Sequence, residues 1–149
     1  MTVLNNLYTF IATLSLAIQI AVLFLLVYGY SQKLKERFER HAFVMTAAVV
    51  LHLTMIFSIM IPGFVLAIFP YFVVMHFFSL ISVISLIHVP LGVSAVSLGV
   101  WLVVSWRRQG LESCFLRRKF MLITITIWST TLFFGIVFYL VLYWNSLFS

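Results

Sequence analysis

Apolar residues fill this chain in runs far longer than a soluble helix needs, and charge interrupts them at only two places. Lys33, Lys35, Glu36, Arg37, Glu39 and Arg40 form one charged stretch; Arg107, Arg108, Glu112, Arg117, Arg118 and Lys119 form the other. An ionised side chain costs roughly 2.5–3.5 kcal/mol at the centre of a membrane helix. A sequence that keeps charge out of its long runs is built to cross a bilayer. Basic residues beside span ends are retained in the cytoplasm, so both stretches are expected there, with an even number of spans between them.

The spans follow from the run lengths. The first covers about Leu7–Tyr30, enough for a core of roughly 30 Å at 1.5 Å per residue, with Tyr8, Tyr28 and Tyr30 as interfacial belts. Ser31–Arg40 turns the chain at the cytoplasmic face. The second span runs about His41–Ile61 and is expected to end at the breaker pair Pro62-Gly63. The fourth runs about Phe120–Trp144, with Tyr143 and Trp144 as an outer belt. The uncharged stretch from Phe64 to Trp106 exceeds one span, yet two full spans there would carry the second basic stretch outside. One span over about Ser85–Trp106 resolves this. Phe64–Ile84 is then an outer-side segment that lies in the interface, enters and leaves on one face, or stands above the membrane as a helix. Phe69-Pro70 and Ser79, Ser82 and Ser85 weaken it as an ordinary span. The expected architecture is an all-α integral membrane protein, residues 1–149 forming one domain of four transmembrane helices.

Composition sharpens this picture. The hydrophobic fraction is 64%, against roughly 45–50% in soluble domains, and the mean hydropathy is +1.21. The net charge of +6 lies beside span ends, where it orients the chain and meets anionic headgroups; it does not point to nucleic acid. The single cysteine, Cys114, excludes an intrachain disulfide and a thiolate zinc site built by one chain. The N-terminus lacks a basic n-region and its apolar run is too long for a signal peptide. It reads as a retained helix starting outside. The expected location is the cell membrane, multi-pass, with both termini outside.

Candidate chemistry is confined to histidines, methionines and hydroxyls. No carboxylate lies within a span, and no HExxH, phosphate loop or serine-nucleophile motif occurs, so no catalytic activity is expected. In the second helix His41, Met45, Ala48, His52, Met55 and Ile59 share a face, His41 and His52 being nearly three turns of about 3.6 residues apart. Gly92, Ala95 and Gly99 share the His88 face of the third helix. Thr124, Trp128, Thr131 and Gly135 share a face of the fourth, and Ser15 and Gln19 lie one turn apart in the first. Neutral imidazole is the commonest metal ligand, and thioethers beside it suit Cu(I) or an axial heme position. From the cytoplasmic ends His52 lies roughly 18 Å deep and His88 roughly 27 Å deep. That offset disfavours one heme iron shared by both. A mixed site of His88 or His52 with Met55 and Met60, and His76 arriving from the outer segment, has better heights. His41 lies at the inner surface, too far to join it.

Each of these residues also has a plain packing role. A membrane histidine can hydrogen-bond a serine or a carbonyl and do nothing else. Met45 and Met121 read as ordinary packing residues, the Gly92/Ala95/Gly99 face as a close-crossing seam, and Ser15 and Gln19 as interhelical hydrogen-bonding groups.

The segments Arg40-His41-Ala42-Phe43-Val44-Met45, Ile87-His88-Val89-Pro90-Leu91-Gly92 and Arg117-Arg118-Lys119-Phe120-Met121, followed by Trp128 and Gly135, carry a likeness. Over about Arg40–Tyr143 the chain resembles small polytopic prokaryotic membrane proteins of unknown function, some of whose relatives are tied to maturation of heme–copper terminal oxidases. The resemblance maps the family's recurrent helix-start histidine onto His41 and its mid-chain histidine onto His88. The chain departs from the oxidase-linked members near Arg118, where many have a histidine. The implied function is a non-catalytic accessory or assembly factor of a membrane respiratory complex that handles heme b or copper. The alternative is a cofactor-free structural subunit packed among other membrane protein subunits. A channel or transporter is disfavoured because no intramembrane charge marks a path.

The orientation is open to direct test. Cysteines placed at positions 5 and 146 are expected to react with impermeant reagents from the outer face; reaction from the cytoplasmic face alone would refute the assignment.

Overall fold

The computed structural model describes residues 2–110 and 117–147. Glu112 and Cys114 lie outside the described residues, as do the side chains of Tyr8 and Trp144. Helix α1 spans Thr2–Leu34 and α2 spans Phe38–Met55. Helix α3 spans Leu80–Gln109 and α4 spans Arg118–Leu147. Among the described residues, four helices are long and apolar enough to cross a membrane. The protein is an all-α, four-helix membrane protein.

The helix ends have local causes. Between α1 and α2 the chain reverses in a tight turn, with Arg37 N–H bonded to Gln32 O at 3.0 Å and Glu36 in the left-handed region at φ 58°. Ser79 starts α3 by accepting a hydrogen bond from Ser82 N–H on its side-chain oxygen at 3.2 Å, satisfying one of the orphan donors of a helix N-terminus. Gly110 ends α3 at φ 64°, its N–H returning to Trp106 O at 2.8 Å.

The expected break at Pro62-Gly63 does not occur. The helix continues from α2 through a π-helical stretch, Ile56–Met60, an α turn, Ile61–Gly63, and a longer π-helical stretch, Phe64–Met75. Pro62 stands inside this continuous run, where it removes one backbone hydrogen bond and the winding departs from regular α around it, and Gly63 has no positive φ to turn the chain. The breaker pair becomes a change of helical winding. The uninterrupted apolar helix Phe38–Met75 is 38 residues long, well beyond the roughly 20 that a hydrocarbon core needs. The chain reverses only at His76–Ser79, where Ser79 N–H bonds His76 O at 2.9 Å. Helix α3 therefore begins before the expected Ser85.

The four helices close into a ring. Helix α3 packs most extensively on α4 and α1 on α2, while α1 on α4 and α2 on α3 complete the circuit. One core cluster draws on all four: Val22 and Leu26, Ala48 and Val49, Ala95, and Trp128. Its small members let backbones approach. A Cβ on Gly99 would lie 2.9 Å from Trp128 Cζ3, and one on Gly29 would lie 2.8 Å from Met45 Sδ.

The polarity of the bundle suits a lipid surround. Phe24, Phe43, Leu66 and Phe78 are exposed, whereas Ser15, Gln19, His41, His52, Ser82, Thr124 and Thr131 are buried. Several buried hydroxyls donate to carbonyls one turn back in their own helix: Ser85 to Ile81 O at 2.7 Å, Thr124 to Phe120 O at 2.7 Å, and Thr131 to Ile127 O at 2.8 Å. Gln19 departs from the expected interhelical bond; its Nε2 is buried without a partner.

Two glycine substitutions separate packing from propensity. Gly99→Val forces the Trp128 ring to move and is expected to cost about 1–3 kcal/mol of bundle stability. Gly63→Ala meets nothing within 4 Å and is expected to change stability by less than about 1 kcal/mol. Unfolding in mixed SDS micelles measures both.

Candidate functional site

The bundle interior holds three of the four histidines, arranged as a column. His41 and His52 are both 4% exposed, and His88 is partly buried. Helix α2 places His41 one turn beyond its start, beside α1, and carries His52 farther along the same face toward α4. Helix α3 brings His88 to α4 from the other side.

Each ring has a specific seat. The His52 imidazole lies against the Trp128 indole with centroids 4.5 Å apart and planes inclined by 50°. The His88 ring occupies the space that a side chain at 135 would take, since a Cβ on Gly135 would lie 3.1 Å from His88 Cε1. Its Nδ1 makes no hydrogen bond there. His41 Nδ1 donates to Gly29 O across the α1–α2 contact at 2.7 Å. A carbonyl can only accept, so this bond puts the His41 proton on Nδ1 and the lone pair on Nε2.

His52 and His88 stand at different heights in the bundle. His52 sits at Trp128 and His88 at Thr131 and Gly135, an offset of one to two turns along α4, or roughly 5–10 Å at about 5.4 Å per turn. The offset expected from helix depth therefore persists.

The column contains unsatisfied polar atoms. His52 Nδ1, His88 Nδ1 and Trp128 Nε1 are buried with no hydrogen-bond partner, and Gln19 Nε2 and Ser82 Oγ are in the same condition. An unmet buried polar atom costs about 1–3 kcal/mol, and few occur in a native protein. Two unpaired imidazole nitrogens on neighbouring helices can take a water or act as ligands to a metal.

The other expected ligands divide. Met55 is buried on α2, and Met60 is half-buried in the Ile56–Met60 stretch. His76 is exposed at the chain reversal, with Met75 beside it 71% exposed. No group of three or more His, Cys, Asp or Glu suited to a metal occurs among the described residues. Near His41, the space enclosed between the helices is about 40 Å³, far below the roughly 300–1,000 Å³ of an ordinary ligand pocket. A porphyrin would need the helices there to part; a single ion or water would not.

Sequence reasoning missed Trp128 as the ring partner of His52, and it assigned Met45 and Met121 to packing alone. Both methionines line the small void beside His41. The spacing of His41 and Met45, one turn apart, carried that signal; nothing in the α4 sequence linked Met121 to His41. Comparisons with protein-family models, with curated proteins and with solved structures find no match.

The column distinguishes shape from polarity. His52→Phe keeps a ring against Trp128 while removing the unpaired nitrogen, and is expected to change stability by less than about 1.5 kcal/mol. Trp128→Ala empties the space under Gly99 and His52 and is expected to cost about 3–5 kcal/mol. Equal losses for the two variants would contradict the seating described.

Proposed function

We propose that the chain is a non-catalytic accessory protein of a membrane respiratory complex and that it handles copper through His52 and His88. One observation carries the reading: two imidazole nitrogens, one on α2 and one on α3, are buried with no hydrogen-bond partner. Imidazole suits copper among the first-row metals. A bare ion makes smaller demands on a close-packed interior than a porphyrin, whose single iron the two offset rings do not share well. The resemblance to proteins tied to heme–copper oxidase maturation supports the same assignment. In this reading the basic stretches face the cytoplasm of a cell membrane, both termini face outward, and the exposed apolar faces meet lipid and other membrane subunits.

A second reading has its own support. His88 fills the notch at Gly135, and Trp128 fills the one at Gly99, as the side chains of a purely structural subunit would. Internal waters would then satisfy the unpaired nitrogens.

Purification after growth with added copper, and separately with added heme precursor, decides between them. Metal analysis is expected to show that His88→Ala lowers the bound copper by about one ion per chain while the folded protein stays in the membrane. A Soret band without copper would replace copper by heme. Protein carrying neither would leave the structural subunit.

A further inference from the structure

The void at the basic end of the bundle reaches the Trp128 indole but is not lined by His52 or His88, and it has a different set of donors. It encloses about 40 Å³ among residues that include His41, Met45, Thr46, Met121, Thr124 and Trp128. One water or one ion fills such a space. Three of these side chains carry donors suited to a soft metal: one imidazole and two thioethers.

Their placement is over-determined. Gly29 is the hinge of the arrangement. Its carbonyl accepts from His41 Nδ1 at 2.7 Å, and its missing side chain admits Met45 Sδ, which would stand 2.8 Å from a Cβ there. His41 and Met45 are one turn apart on α2 and so share a face. One turn on from Gly29, Lys33 reaches across to α4 and donates from Nζ to Met121 Sδ at 3.0 Å. That bond brings the Met121 sulfur to the same end of the bundle as His41. The Nδ1–H···O=C bond is the arrangement that orients metal-binding histidines, leaving Nε2 as the donor and raising its basicity.

We infer that this void is a second copper site, in which His41 Nε2 and the Met45 and Met121 thioethers hold Cu(I). Thioether and imidazole donors together select the cuprous ion. The inference takes its metal from the copper reading above but uses none of the same residues. Lys33 is the counterweight. Its ammonium takes a lone pair on the Met121 sulfur and repels a cation, so loading requires it to swing toward the headgroups, as its long stem allows. The site alternates between a lysine-capped and a metal-bound state.

The test uses the full chain with the other candidate site removed. Purified His52→Ala/His88→Ala protein, monodisperse on size exclusion, is loaded with Cu(I) and measured by X-ray absorption and by competition with a chromogenic chelator. The expected result is about one Cu(I) per chain, with sulfur among its ligands. Adding Met45→Leu and Met121→Leu, which conserve volume, is expected to remove the sulfur signal and weaken binding at least about tenfold. Lys33→Met in the same background is expected to tighten binding. A nitrogen-only environment overturns the inference. So does loss of all copper from the double variant when the wild type holds it, and that outcome leaves His52 and His88 as the copper site. Absence of copper from both proteins overturns this site and the copper reading together.

Discussion

The contact between the Trp128 indole and the bare face of Gly99 sets the spacing of this bundle. A Cβ at 99 would stand 2.9 Å from the ring, so α3 and α4 meet only because that atom is absent. The indole extends into the cluster formed by Val22, Leu26, Ala48, Val49 and Ala95 and meets the His52 ring in a tilted contact. In lipid the hydrophobic effect does not hold helices together; close packing and interhelical hydrogen bonds do. The large ring set against small residues on facing helices supplies that packing. The same device recurs at Gly29 with Met45 and at Gly135 with His88.

These three notches also explain why polar groups accumulate inside. A glycine that admits a bulky neighbour admits an imidazole as readily as a methionine, and the surrounding lipid gives the imidazole nowhere better to go. His41 settles its account with the Gly29 carbonyl. His52 and His88 each keep an unmet nitrogen. Hydroxyls raise no such question, because Thr124, Thr131 and Ser85 bond within their own helices. The interior chemistry thus reduces to imidazoles, two of them with an unpaired nitrogen, and the unpaired Trp128 N–H.

The helices were legible because charge is so costly in a bilayer that two charged stretches suffice to divide the chain. The shared faces of α2, α3 and α4 were legible from helical periodicity, and they carry His52, Gly99 and Trp128 inward as expected. The winding of Ile56–Met75 was not legible. Pro and Gly mark breaks in water, where freed backbone groups find solvent, but a helix in lipid keeps its internal bonds by changing pitch instead. The partners within the site were equally hidden. Which rings meet depends on the α2–α4 and α3–α4 approach, set by tertiary packing rather than by spacing along any one helix. Met121 is the clearest case, since its link to Lys33 and to the His41 void exists only across the bundle.

The central claim is that the Gly29 carbonyl holds His41 in one tautomer and that, in the proposed copper reading, the unpaired His52 and His88 nitrogens take the ion. Solid-state ¹⁵N NMR of histidine-labelled protein in lipid bilayers, before and after Cu(I) loading, measures this most directly. The expected spectrum has His41 protonated on Nδ1 throughout, as its bond to Gly29 requires. The His52 and His88 nitrogens should shift on loading, while exposed His76 stays unchanged. If all four imidazoles exchange freely between tautomers and none responds to Cu(I), the imidazoles are packing residues and the claim fails.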